Sequence, residues 1–155
     1  MKKLMAMMMA LVCVLTMSAC GGEQKAEVFS AETLSAVQNA GAFSEELEEL
    51  DADTAFMLYK LADYGLSRED LTGAAVLRSA GATCEEGAVL IFSAADKAAK
   101  AADAMGDYLE GQIEGNVNYR PAEIPKLEGA VLLTRENTLL MVVPNDAAAV
   151  RNLFE

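Results

Sequence analysis

The run GAAVLRSAGATCEEGAVLIFS, Gly73–Ser93, decides how this chain folds. Inside it AAVLRS (74–79) and GAVLIFS (87–93) are short apolar runs bounded by glycine and serine, the pattern of two strands. AGATCEE (80–86) connects them. A second pair follows in GAVLLTR (129–135) and TLLMVV (138–143), joined at Glu136 and Asn137. Strands 87–93 and 138–143 are apolar at nearly every position, whereas Arg78 and Arg135 interrupt or end the other two. Central strands covered on both faces read this way. The order 1-2-4-3 puts both in the middle and keeps every neighbour antiparallel. The expected fold is therefore α+β: a four-stranded antiparallel sheet of two hairpins, with a long helix on one face and N-terminal helices covering part of the other.

The helices frame this sheet. Ser30 stands as an N-cap with Glu32 in the first turn, and Phe29 and Leu34 are spaced as a hydrophobic staple. Gly41 ends that helix. Asp51 caps a second helix over 52–61. Ser93 and Asp96 resemble a capping box that opens a long helix, about 95–114, with Ala98, Ala102, Met105, Leu109 and Ile113 on its apolar face. NVNYRPAEIPKLE (116–128) reads as an extended loop, and a terminal helix follows Asp146. GAAVLRS aligns with GAVLLTR, and VLIFSAAD with LLMVVPND, as an old duplication of a ββα unit would leave them. Any two buried hairpins align as well.

The N-terminus gives context. Lys2 and Lys3 precede an apolar run, Leu4–Thr16, too short to span a bilayer, so it reads as an export signal. Met17-Ser18-Ala19-Cys20 resembles the lipobox of bacterial lipoproteins, with Met17 where leucine is usual. That implies cleavage before Cys20 and a diacylglycerol thioether on its sulfur. Cys13 fits poorly, because Leu11 and Val12 are bulky. The organisation is then a signal peptide (1–19), a lipidated cysteine and tether (20–28) and one domain (29–155). Eight flexible residues span roughly 16 Å, which keeps the domain close to the bilayer.

Charge narrows the partners. Without Lys2 and Lys3 the chain has 10 basic and 24 acidic residues, a net charge of −14. Such a surface repels nucleic acid and anionic headgroups, so attachment falls to the lipid. Two acyl chains anchor stably, each buried methylene contributing about 0.8 kcal/mol. Histidine is absent, which removes the usual serine triads, Cys–His pairs and common zinc sites. Beyond the signal and Cys20 only Cys84 remains, so no disulfide framework exists.

A lipobox, an acidic helical stretch ending in MLYKL, then RSAGATCEEGAVLIF, an Ala-rich helix, NYRP and GAVLLTRENTLLMVV together resemble domain of unknown function 4358. The resemblance spans roughly residues 26–154, and its strongest marks are SAGAT-x-EE and the Tyr-x-Pro loop. It implies a small lipoprotein of Gram-positive, clostridia-type bacteria, and supplies a location and a fold expectation but no established activity.

The chemical candidates are few. Glu85 and Glu86 are paired carboxylates, but neighbours on a strand point to opposite faces, and glycosidase pairs must flank one substrate. One of them is expected to bond its own hairpin or to meet Arg78. Cys84, beside two carboxylates and without histidine, should have a raised pKa and an inert thiol. FSEELEELD (43–51) with Asp53 lacks the glycine and distal glutamate of a calcium loop and reads as a solvated face. Tyr119 and Arg120 form an aromatic–guanidinium pair suited to anchoring a partner. The functional expectation is a lipid-anchored extracytoplasmic module without catalysis, cofactor or metal, binding a protein partner or a second copy of itself. The alternative is a carboxylate-based hydrolase of envelope material.

Overall fold

The structure is a computed structural model and describes residues 27–154, so the signal segment and Cys20 lie outside the described residues. Its elements are α1 (Ala31–Asn39), β1 (Glu48–Leu50), α2 (Ala52–Leu58), β2 (Leu71–Arg78), β3 (Glu86–Phe92), α3 (Ala95–Asn116), α4 (Ile124–Glu128), β4 (Val131–Arg135), β5 (Thr138–Val143) and α5 (Ala147–Phe154). Short 3₁₀ turns occupy Leu61–Tyr64, Arg68–Asp70 and Pro121–Glu123.

The sheet is antiparallel throughout, with β3 and β5 at its centre. It has five strands, not four, so its order is β1-β2-β3-β5-β4 and differs from the expected 1-2-4-3. The addition is β1, drawn from the acidic stretch expected to be a solvated face. It pairs with the outer edge of β2, setting Glu48 opposite Arg78 and Leu50 opposite Val76. Three residues with no β-branched side chain carry almost no strand signal, and the free edge of β2 supplied the pairing.

The two faces have separate cores. On one, α2, the Leu61–Tyr64 turn and α3 pack Ala55, Tyr59, Leu61, Ala101 and Met105 onto Val76, Leu90, Phe92 and Met141. On the other, α1 and α5 bring Phe29, Leu34, Val37 and Val150 onto Val89, Leu140 and Val142. The described residues thus form three layers, with helices packed on both faces of the sheet. Because α3 and α5 lie on opposite faces, the two ββα halves are not related by a two-fold axis through the sheet.

Local signals explain most boundaries. Thr33 Oγ1 accepts from the Ser30 amide at 3.0 Å, and Asp51 Oδ1 accepts from the Thr54 amide at 2.8 Å, so both expected N-caps form. Past α1, Gly41 takes φ +78°, with Gly41 N donating to Gln38 O and Ala42 N to Val37 O, a Schellman ending. The second helix stops at Leu58 rather than residue 61, because Lys60 adopts the left-handed conformation. Ser93 does not cap α3; its amide donates to Asp70 O and its hydroxyl to Asp70 Oδ1. Residues 116–128 are not an extended loop. Pro121 opens a 3₁₀ turn and Pro125 lies in the first turn of α4, positions where the missing amide hydrogen costs nothing.

Candidate functional site

The β2–β3 hairpin sets Glu85 and Glu86 at the start of a central strand, both buried. Glu86 points to the α2–α3 face. Tyr59 donates its hydroxyl to Oε1 at 2.6 Å, Tyr108 donates to Oε2 at 2.7 Å, and Arg78 Nε lies 3.3 Å from Oε2. The two tyrosine rings meet edge to face, centroids 5.1 Å apart. Burial pushes the Glu86 carboxyl above its usual range, although the tyrosines and Arg78 pull the other way. Burial and the adjacent carboxylate raise both tyrosines in turn.

Glu85 points to the other face, where Ser44 donates its amide at 2.7 Å and its hydroxyl as well. Lys126 Nζ donates to Glu85 Oε1 at 2.8 Å and also reaches Glu123 at 3.3 Å. Burial acts to raise this carboxyl, but the bonds from Lys126 and Ser44 outweigh it and hold Glu85 low. The acidic stretch contributes a further tie, with Thr83 Oγ1 donating to Glu45 at 2.6 Å. Cys84 sits between these networks. Its amide donates to Glu123 at 2.8 Å, and burial raises its thiol, so it is a poor nucleophile.

Tyr119 and Arg120 divide their roles. Arg120 is turned inward: Nε donates to Asn116 Oδ1 at 2.9 Å, and Nη1 donates to Gly81 O at 3.0 Å and Thr83 O at 3.1 Å. It clasps the end of α3 to the β2–β3 connection. Tyr119 is 79% exposed, its ring 5.5 Å from that guanidinium.

Beside Glu86 a cleft of about 560 Å³ opens between the Leu61–Tyr64 turn and α3. Tyr59 and Tyr108 line it together with Lys60, Asp63, Tyr64, Asp107 and Gln112. Tyr64 donates its hydroxyl to Asp107, and that bond raises the phenol to about 12. Lys60 makes no ion pair among the described residues. Tyr108 went unread in the sequence because α3 is rotated from its expected face: Ala98, Ala101, Ala104 and Met105 are buried, whereas Ala102, Leu109 and Ile113 are half-exposed. The spacing 101-104-105-108 is the signal that finds it. Among the described residues no three carboxylate or thiol groups stand close enough to hold a metal ion, and no helix is long and apolar enough to cross a membrane.

Fold and site together define an α+β domain whose central strand begins with two buried glutamates, one locked to each face. Such networks fix a core and its hairpin. The chain belongs to the family described as Domain of unknown function (DUF4358), whose profile matches residues 44–144. The match starts at Ser44, which holds Glu85, takes in all five strands and ends at Pro144, leaving out α1 and α5. No curated protein and no solved structure matches the chain.

Proposed function

We propose that this protein is a non-catalytic binding module, held at the extracytoplasmic face of the cell membrane by a lipid on Cys20. Its partner surface runs from the cleft along the C-terminal half of α3 to Tyr119. The observation that supports this reading is the open cleft with exposed Val117 and Tyr119 at the end of the same helix, above a glutamate already saturated by three donors. Catalysis needs a nucleophile or base free to act, and the buried carboxylates here are committed to structure. The occupant is a peptide segment of a membrane-proximal protein. An acidic domain disfavours anionic polymers, and a wall of Lys60 against Asp63 and Asp107 offers both signs of charge to a peptide backbone and its side chains.

The test is in-cell crosslinking from a photoreactive residue placed at Gln112 or Tyr119, read by mass spectrometry. A discrete protein adduct is expected at both positions, absent when the reporter is moved to Thr72. Adducts at neither position overturn the partner surface. Turnover in a glycan or peptide hydrolysis screen, lost in a Glu85→Gln, Glu86→Gln double variant, overturns the non-catalytic reading.

A further inference from the structure

The first described residues are fastened to one end of the domain. Arg135 Nη1 donates to Glu27 O at 3.1 Å, and the Phe29 amide donates to Thr138 Oγ1 at 3.0 Å. The buried Phe29 ring meets Phe154 edge-on at 5.9 Å, and the Arg135 guanidinium lies 4.7 Å from the Phe29 ring and 5.8 Å from that of Phe154. The chain therefore enters the fold beside the β4–β5 turn and the last turn of α5. That end also carries exposed apolar surface. Val28 and Leu153 are each 42% exposed and border one open groove of about 320 Å³, whose charged lining is Arg135, Glu27 and Glu32.

The opposite end is distinct. Glu86 pairs with Val143 and Arg78, so the β2–β3 connection lies at the far end of the strands from Thr138. Arg120 holds Tyr119 to that far end through Gly81 and Thr83.

Six residues lie between Cys20 and Glu27, and the seven Cα–Cα steps that join them reach at most about 25 Å when fully extended. Resting on the proposed lipidation of Cys20, we infer that the end bearing Val28, Leu153 and Arg135 lies against the phospholipid surface, with Tyr119 and the β2–β3 connection directed away from it. Apolar side chains flanked by a guanidinium suit the headgroup boundary, where the guanidinium stays hydrated and the apolar groups leave water.

The chain contains no tryptophan, so single-tryptophan reporters are unambiguous. Leu153→Trp, Val28→Trp and Tyr119→Trp variants of the full chain are purified from membranes of an expressing bacterium. Each is reconstituted into phosphatidylcholine vesicles with nitroxide-labelled headgroups. Groups at the boundary lie within ~10 Å of the headgroups, so quenching at 153 and 28 should exceed that at 119 at least about twofold. Intact mass reports the lipid on Cys20 independently. Lipidated protein with equal quenching at all three sites, or stronger quenching at 119, overturns the orientation alone. Mature protein without the lipid mass overturns the anchor and the orientation that rests on it.

Discussion

Glu85 and Glu86 are adjacent in the chain and project to opposite faces of the sheet, where they take opposite ionisation behaviour. Lys126 and Ser44 hold Glu85 below its usual range, whereas burial among Tyr59, Tyr108 and Arg78 leaves Glu86 above it. The signs of their linkage to folding follow. Glu85, depressed in the folded state, contributes stability above the unfolded value of about 4.3 that is lost as pH falls through its folded pKa. Glu86, raised in the folded state, contributes stability at low pH that is lost as pH rises through its folded pKa.

Urea unfolding over a pH series separates the two. The stability gap between the parent and a Glu85→Gln variant should widen as pH rises toward the unfolded value of about 4.3, whereas the gap to Glu86→Gln should shift in favour of the variant as pH rises above it. Gaps that move in the same direction would show that the two carboxyls share one environment.

Gly87 marks where α1 presses on the sheet. A Cβ there would stand 2.5 Å from Leu34 Cδ1 and 3.1 Å from Phe43 Cζ. Leu34 is buried, so it cannot swing freely aside. Gly87→Ala should cost about 1–3 kcal/mol by overpacking, and adding Leu34→Ala should recover part of it despite the cavity that truncation leaves. An alanine variant that melts with the parent would mean α1 does not seat as described.

What was legible in the sequence was what local chemistry dictates. The central strands announced themselves because Val89, Leu90, Leu139 and Leu140 are buried on either side of the sheet, and the caps at Ser30 and Asp51 are local contacts within three residues. The expected meeting of Arg78 with one of the paired glutamates also stands, on Glu86. What was missed needs the third dimension. β1 is a strand only because β2 offers it an edge, and Ser44 meets Glu85 across 41 residues of chain. Tyr59 and Tyr108, 49 positions apart, become a pair only when α2 and α3 share a sheet face.

Lys60 is a strained cap. It occupies the position after the C-cap of α2 at φ +51°, a conformation that disfavours residues with a Cβ. Lys60→Gly should stabilise the domain by about 0.5–1 kcal/mol in chemical denaturation. The same change removes the one ammonium lining the cleft, so crosslinking from Gln112 should fall while the melting temperature rises. A variant that loses stability would show that the lysine is favoured in this conformation by contacts beyond its backbone.

The last prediction separates the two residues of the Tyr119–Arg120 pair. Arg120 donates to Gly81 O, Thr83 O and Asn116 Oδ1, and charged donors to such groups contribute about 1.5–3 kcal/mol where they are partly buried. Arg120→Ala should therefore lower stability by about 1–3 kcal/mol and loosen the β2–β3 connection, read as faster amide exchange at Thr83 and Cys84. Tyr119 is mostly solvent-exposed and makes one ring contact with that guanidinium, so Tyr119→Ala should stay within about 0.5 kcal/mol of the parent. A partner contact adds a second signature that a purely structural residue lacks: crosslinks from Gln112 in cells should weaken in Tyr119→Ala, although the fold and its exchange pattern are unchanged. If Arg120→Ala leaves exchange at Thr83 unaltered, the clasp is not what holds the connection. If Tyr119→Ala leaves every crosslinked partner in place, the exposed ring is not a partner contact, and binding must be sought in the cleft alone.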